Sequence, residues 1–462
     1  MEQVVIVGGG PVGALLACEL GLQGVRAVVL EKEPVRSVAS RAGTLHARTA
    51  QLLDRRGLLD EVALSRTRPP VRFHFSGMFG LDLGAVVPDG PVLIGSPQAH
   101  AERVFTLRAA SLGAEFRRGH EVTGLVQDSA KVTLTVAGPS GSYELAAGYV
   151  VGADGARSSV RHRAGIPFTG TPAGVAALMG DVRLLTPLPG GWHRTPRGWL
   201  LVWGGHGRSR LSTYDFRGPH PDRTAPVTLS EMRDTVSHIA GRPVEMADGR
   251  DLSRFGDAAL QAESYRYGRV LLAGDAAHVH FPWGGQGLNT GLEDAMNLGW
   301  KLAAELTNRA PTGLLDTYHS ERHPVAARVL WNVRAQNALA DPDPRIDPLR
   351  DLFAELMELP EANAHLSKMI SGTGIRYDVG SPGAGTLAPI NPELLRPGRP
   401  VLLLDSTRTD LRTTAEPWAD HVSIHPEPAT EPVLVRPDGY SVWTGSDGPD
   451  GLRRALLRWF GK

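Results

Sequence analysis

An α/β fold built on a parallel sheet is what three separated blocks of this 462-residue sequence predict. The first is VVIVGGGPVGALLACELGLQGVRAVVLEK near the N-terminus. The second is VVGADGARSSVR, and the third is VLLAGDAAHVHFPWGGQGLNTGLEDAMNLGWKLAAEL, past the midpoint. Each runs from a short apolar stretch through a glycine-rich or acidic turn into a helical pattern, the strand–turn–helix signature of α/β units.

In the first block residues 3–8 read as a buried strand. Gly8, Gly10 and Gly13 then form G-x-G-x-x-G, with Pro11 and Val12 between the last two. The first glycine permits a tight turn, the second lets the backbone approach a pyrophosphate, and the third lets helix pack on strand. A helix over residues 13–22 points its N-terminal amides at the phosphates. A second strand over residues 26–30 leads to Glu31 and Lys32. A carboxylate roughly 20 residues after the glycines is placed to accept hydrogen bonds from ribose hydroxyls. A bound adenine dinucleotide accounts for this arrangement, whereas a glycine turn without a ligand leaves Glu31 unexplained. Cys18, among apolar neighbours in the helix, reads as a small core residue.

The second block reads as a strand over residues 149–152 and a turn through Asp154 and Gly155 into a helix. Alone, it is a capped turn, with Arg161 and Arg163 as solvated helix residues. The third block is more decisive. A strand over residues 270–273 ends in Gly274-Asp275, and an Asp at the carboxyl end of a strand sits where open α/β sheets bind ligands. Pro282 follows, then an exposed loop Gly284-Gly285-Gln286-Gly287-Leu288-Asn289 and a helix over residues 290–306. Small residues let backbone amides approach a flat ring, and a helix N-terminus there stabilises negative charge on a reduced flavin. The three blocks in this order therefore point to a flavin. His278 and His280 have no cysteine or clustered carboxylate beside them and read as packing or hydrogen-bonding residues, with no metal expected.

Bulk properties narrow the class. Hydrophobic residues make up 42% and charged residues 21% of the chain, as in globular proteins, and the length suits two or three domains. With 49 basic and 49 acidic residues, nothing favours nucleic acid or an anionic membrane surface. No apolar run reaches the roughly 18 residues of a membrane span, and strand-like sequence from Gln3 leaves no signal peptide. The single cysteine excludes an internal disulfide. A cytoplasmic protein is expected.

These residues resemble the single-component, FAD-dependent aromatic hydroxylases, the class A flavoprotein monooxygenases that include para-hydroxybenzoate hydroxylase. Residues 40–62 (SRAGTLHARTAQLLDRRGLLDEV) and 274–302 are most similar to the hydroxylases that tailor aromatic polyketides in actinomycete antibiotic biosynthesis. The resemblance covers about residues 1–330 strongly and the rest weakly. It implies non-covalent FAD, with NADPH or NADH as a transient co-substrate and O2 as oxidant. By position, Gly8, Gly10, Gly13 and Glu31 hold the ADP half. Arg41 lies near the flavin and adjoining phosphates, Gln98 contacts FAD, and Asp154 serves FAD and NADPH together. Asp275 binds the ribityl and pyrophosphate region, and Pro282 and Gly285–Asn289 line the ring. Trp283 stands where the family usually has a smaller residue.

The family fold is an FAD-binding Rossmann-like (GR2-type) domain with an interleaved, mainly antiparallel substrate-binding sheet and a small thioredoxin-like C-terminal domain. It implies residues 1–70, 100–170 and 267–375 for the FAD domain. Residues 71–99 and 171–266 are assigned to the substrate sheet, and 380–462 to the terminal domain. That last domain contains no cysteine, so a packing or dimer-forming role is expected, in a monomer or homodimer. Residues 199–203 and 210–216 read as a hairpin, with Trp199, Leu201 and Trp203 on one face. Such a face is either core or a flat apolar slot for a polycyclic substrate, which Tyr214, Phe281 and Trp283 would complete.

The implied reaction is hydroxylation of a phenolic or quinone ring of a polycyclic aromatic polyketide through a flavin C4a-hydroperoxide. Two alternatives stay open: Baeyer–Villiger or epoxidising rearrangement by the same peroxide, and a flavin-binding module without oxygenase activity. His193, His206, Tyr214 and Asp215 lie on the substrate side as possible bases, and nothing in the sequence selects one.

Overall fold

The computed structural model describes residues 1–36, 40, 42–67, 71–87, 90–205, 207–427 and 431–462. Its largest sheet has eight strands. Five are parallel and lie in the order Val270–Leu272, Gly141–Gly152, Glu2–Val7, Ala27–Glu31, Glu115–Arg118. Val4, Val5 and Ile6 are wholly buried, as expected of parallel strands covered by helices on both faces. Register places the motifs. Val7 stands opposite both Leu30 and Gly152, and Gly152 stands opposite Leu272. The four strands therefore end level, and the turns that follow them emerge side by side at one edge of the sheet.

Pro11–Leu22 forms the first helix, with a proline in its first turn, where a missing amide costs nothing. The middle strand is longer than its sequence suggested. It covers Gly141–Gly152 because its first half pairs with an antiparallel meander, Glu121–Gln127 and Val132–Gly138. The late helix runs Gly287–Leu306 and so begins three residues earlier than the sequence suggested.

A five-stranded antiparallel sheet stands over this edge, in the order Gly191–Thr195, Gly198–Gly205, Arg208–Asp215, Ala176–Leu184, Met246–Gly256. Alternation divides its side chains. Leu200, Val202 and Leu211 pack beneath the helix Leu229–Ala240, which Thr228 caps by accepting from the Glu231 amide. Trp199, Tyr214 and Ala177 face the other way, onto Phe281, Trp283 and the helix Thr317–Ala340.

Residues 71–99 do not join that sheet. Arg72–Phe75 and Met78–Asp82 form a separate hairpin, with Phe75 and Leu81 packed among Leu339, Met357 and Ile370. Leu93–Gly95 pairs instead with Thr44–His46 and Ser65–Thr67. Burial of the hairpin's apolar side chains on these helices, not sheet continuity, fixes its place.

The terminal unit has strand order Ser423–Pro426, Val401–Leu404, Val433–Val435, Ser441–Thr444, the first two parallel and the rest antiparallel, with helices Thr409–Ala415 and Gly448–Phe460. It is tied to the rest by buried charge. Arg436 bonds Glu321 at 2.6 Å and Asp438, and Lys301 bonds Glu321 at 2.8 Å. Arg55 and Arg56 reach across to the carbonyls of Gly439, Ala388, Leu395 and Pro437. Among the described residues no helix is long and apolar enough to cross a membrane.

Candidate active site

The three glycine and acidic turns converge around the start of the first helix. Gly8 packs so tightly that an added Cβ would collide with the Ala153 carbonyl and the Asp154 amide. A Cβ on Gly274 would press on Val12. Arg161 donates to the Ala276 carbonyl at 2.8 Å and stacks on Phe168. It is therefore buried, not the solvated residue expected, and it ties the second block to the third; Arg163 is exposed as expected.

Glu31 accepts from the Gly9 amide at 2.8 Å and the Glu33 amide at 2.9 Å. It thus braces the glycine turn from the end of its own strand, and Lys32 beside it is exposed. Asp154 caps the short helix Ser159–Arg163, accepting from the Ser159 amide at 2.7 Å and the Val160 amide at 3.1 Å, as well as from Ser158 and Ser159 hydroxyls. The capping role left open by the sequence is the one observed. Gly155 follows it with φ +80° and empty space where a Cβ would lie. Gln98 opens the helix Gln98–Ser111. Arg41 and His206 lie outside the described residues.

On the third block Asp275, Pro282 and Gly285 are exposed and Gly287 and Leu288 half-buried, while Gly274, Gln286 and Asn289 are buried. Asn289 organises the loop: its Oδ1 accepts the His46 amide at 2.8 Å and its Nδ2 donates to the Gly285 and Thr44 carbonyls. His46 in turn bonds the Gly284 carbonyl through Nε2 at 2.7 Å. His280 bonds the Phe281 carbonyl through Nδ1 at 2.8 Å. Burial pushes both imidazoles down to about 4, so both are neutral. The nitrogen facing each carbonyl carries the proton, which leaves Nδ1 of His46 and Nε2 of His280 as buried acceptors without a donor among the described residues. Buried polar atoms are rarely left unpaired. FAD carries N–H and hydroxyl donors of the kind these two acceptors lack, so the residues present fit that group.

Beneath the loop, Asp294 is fully buried. It accepts from the Gly274 amide at 3.1 Å, His278 Nε2 at 2.7 Å and Arg322 Nε at 2.7 Å. The hydrogen-bonding role expected of His278 and His280 is what they show, and among the described residues no group of His, Cys, Asp or Glu is placed to hold a metal.

The aromatic face departs from an open slot. Trp283 is 1% exposed and stacks on Trp192 at 5.0 Å and on Tyr214 at 5.3 Å, with Trp199 and Phe281 edge-on to it. These rings fill one another's space. Trp199 also spends its indole N–H on the Ala340 carbonyl at 2.7 Å, whereas Trp203, two residues on, is 56% exposed. Trp192 is half-buried, and Phe79 on the neighbouring 72–82 hairpin is 61% exposed. His193 is tied to the Pro189 carbonyl, Asp215 is ion-paired with Arg217 and held below the usual carboxylate range, and burial pushes the Tyr214 phenol up. None of the three is poised as a base. His46, His74, Trp192, Asp294 and Arg322 were not singled out by sequence. His46 and Asp294 fall inside the segments 40–62 and 274–302 but at positions to which no motif gives a role, Arg322 lies on the separate helix Thr317–Ala340, and Trp192 and His74 sit on short strands that carry no motif.

Comparison with known proteins agrees with this geometry. The family model described as FAD binding domain matches residues 1–333, and that described as aromatic-ring hydroxylase, C-terminal, matches residues 389–462. A relative from Streptomyces rimosus subsp. rimosus, named 12-dehydrotetracycline 5-monooxygenase/anhydrotetracycline 6-monooxygenase, is 42% identical over 99% of this chain and 98% of its own. Another, from Streptomyces rugosporus and named dialkyldecalin synthase, is 39% identical over 100% of this chain and 99% of its own. The solved structure of an anhydrotetracycline hydroxylase from Streptomyces rimosus superposes with a TM-score of 0.92 at 41% identity, covering 100% of this chain and 99% of that one.

Proposed function

The chain belongs to the FAD-binding-domain family of aromatic-ring hydroxylases, and from that premise we propose that this FAD-dependent monooxygenase hydroxylates a polycyclic phenol or quinone of aromatic polyketide type. The observation that supports the substrate class is the half-buried ring of Trp192, held in place by stacking on buried Trp283 and Tyr214 beside the loop Pro282–Asn289, a face complementary to a flat apolar ring.

Bound here, FAD would supply hydride acceptance from NADPH or NADH and the activation of O2. The chain supplies the rest. Gly8, Gly10 and Gly13 hold the pyrophosphate against the first helix, and Glu31 is near enough to the turn to take the ribose. Asp275 would meet the ribityl chain, and Gln98 would add a contact. Pro282 and Gly285–Asn289 line the ring, where the N-terminus of Gly287–Leu306 favours negative charge on the reduced form. The packed aromatic layer keeps water from the reacting face. The enzyme acts in the cytoplasm, where the reduced nicotinamide is made, as a monomer or homodimer.

Removing one anchor tests the cofactor assignment. Asp275→Ala is expected to purify with weakened FAD occupancy, read from the ratio of flavin to protein absorbance; full occupancy would reject the assignment.

The relative named a synthase favours a second reading, in which this fold binds flavin without transferring oxygen. Anaerobic reduction by NADPH and by NADH, with and without polycyclic phenols, followed by aerobic product mass, separates the two. Accelerated reduction and a product heavier by one oxygen atom support hydroxylation. Ring opening with added oxygen points to Baeyer–Villiger chemistry, and flavin that is never reduced sinks the oxygenase reading.

A further inference from the structure

His74 is a histidine on the substrate side with one ring nitrogen bonded to the protein and the other, among the described residues, bonded to none of its groups. It lies on the strand Arg72–Phe75, 7% exposed, with its ring stacked on Phe73 at 4.8 Å and packed against Trp192 at 5.2 Å and Phe79 at 5.7 Å. Trp283, on the flavin loop, is 6.2 Å away edge-on. Phe73 touches His46, which holds the Gly284 carbonyl. His74 therefore sits between the flavin loop and the half-buried face of Trp192.

Its protonation is settled by geometry. The Gly77 amide donates to Nδ1 at 3.3 Å, across the turn Ser76-Gly77 that closes the hairpin. Nδ1 is thus the acceptor, and the proton of the neutral ring is on Nε2. Burial, and then the neighbouring His46, pushes the imidazole down to about 4, which keeps it neutral at working pH. No partner for Nε2–H exists among the described residues. That nitrogen is not sealed from solvent, so its N–H is open to an acceptor brought by a ligand, and a ligand that displaces its water without offering one leaves the donor unpaired.

We propose that His74 Nε2–H donates a hydrogen bond to an oxygen of the aromatic substrate, a carbonyl or phenolate on the ring that lies against Trp192, and so fixes which carbon faces the flavin. This inference rests on the aromatic-hydroxylase reading and deepens it. His74 is a positioning residue and moves no proton. The arrangement selects a ring bearing an acceptor oxygen and discriminates against a hydrocarbon of the same shape, because that substrate leaves the donor unpaired.

The test uses the FAD-loaded enzyme and three probes: anhydrotetracycline, 1,8-dihydroxyanthraquinone and 2-naphthol. His74→Phe keeps an aromatic ring and removes the donor, while His74→Gln places an amide N–H near the position of Nε2. For a probe that wild type binds and oxygenates, His74→Phe is expected to raise KM about tenfold, the worth of one hydrogen bond, with more NADPH consumed per product. FAD content and melting temperature should stay those of wild type. His74→Gln should recover most of the KM. Phe and Gln variants that both match wild type would overturn the proposal alone, as would a Gln variant no better than Phe. If His74→Phe fails to fold, the Gln variant still decides: a wild-type-like KM supports the donor, and a tenfold rise rejects it. If wild type binds and oxygenates none of the probes, the aromatic-hydroxylase reading fails, and this proposal falls with it.

Discussion

Arg322→Met is expected to destabilise the protein by about 3–5 kcal/mol and to release FAD before the chain unfolds. Arg322 is wholly buried on the helix Thr317–Ala340 and spends its guanidinium on four groups. These are Asp294 at 2.7 Å, Glu293 at 3.3 Å, the Tyr377 hydroxyl at 3.0 Å and the Thr290 carbonyl at 3.0 Å. Removing it strands two carboxylates in the interior, and an uncompensated buried charge is far more costly than a lost surface pair. The damage reaches the cofactor because Asp294 holds the Gly274 amide and His278, the two ends of the turn that carries Asp275. Lysine does not replace the fork, since one ammonium cannot meet partners in those directions, so Arg322→Lys should recover little. Urea unfolding monitored by tryptophan and by flavin fluorescence checks both parts. Coincident, wild-type-like transitions would show the network to be dispensable.

The same network predicts how acid acts. Burial alone raises the Asp294 carboxyl, but the Arg322 charge and the His278 hydrogen bond outweigh it and hold the group below its ordinary value. A carboxyl whose folded value is depressed contributes stability above its unfolded value and loses it as pH falls toward the folded one. FAD release in acid, followed by flavin fluorescence, is therefore expected to begin below about pH 4.

Sequence disclosed the flavin half of this protein because the relevant chemistry is compressed into turns. Gly8, Glu31, Asp154 and Asp275 each lie at the carboxyl end of a strand or within three residues of it, and those strands end level, so order along the chain translates into adjacency at one sheet edge. The opposite half resisted for physical reasons. An aromatic at every second position reads alike whether it faces core or ligand, and Trp199 and Trp203, on one face, end respectively buried and exposed. Trp283 could be placed in the loop but not in its stack, because its partners Trp192 and Tyr214 come from strands roughly seventy to ninety residues away. The hairpin Arg72–Asp82 was assigned to the wrong sheet, since a short strand's partner depends on what its apolar face meets, here Met357 and Ile370. Arg161 was read as solvated because its carbonyl acceptor, on Ala276, lies far off in sequence.

Glycines with a packing reason and glycines without one make the sharpest division, and Gly13 and Gly10 test it within a single motif. A Cβ on Gly13 would run into the Gly8 carbonyl oxygen, with the Ile6 side chain 3.2 Å away. The protein itself demands that glycine. Gly13→Ala is expected to lower apoprotein stability by about 2 kcal/mol or more, as overpacking against backbone does. Nothing lies within 4 Å of a Cβ on Gly10, and its φ of −70° suits any residue. No contact in the chain explains it, whereas a pyrophosphate drawn against the helix start does. Gly10→Val should therefore fold with apoprotein stability within about 0.5 kcal/mol of wild type, yet lose FAD affinity at least a hundredfold. Apoprotein melting curves and flavin titration of both variants decide the matter. If Gly10→Val binds FAD like wild type, the space beside Gly10 is not where the pyrophosphate lies. If Gly13→Ala leaves the apoprotein unaffected, strand and helix do not meet as tightly as the Gly8–Gly13 approach requires.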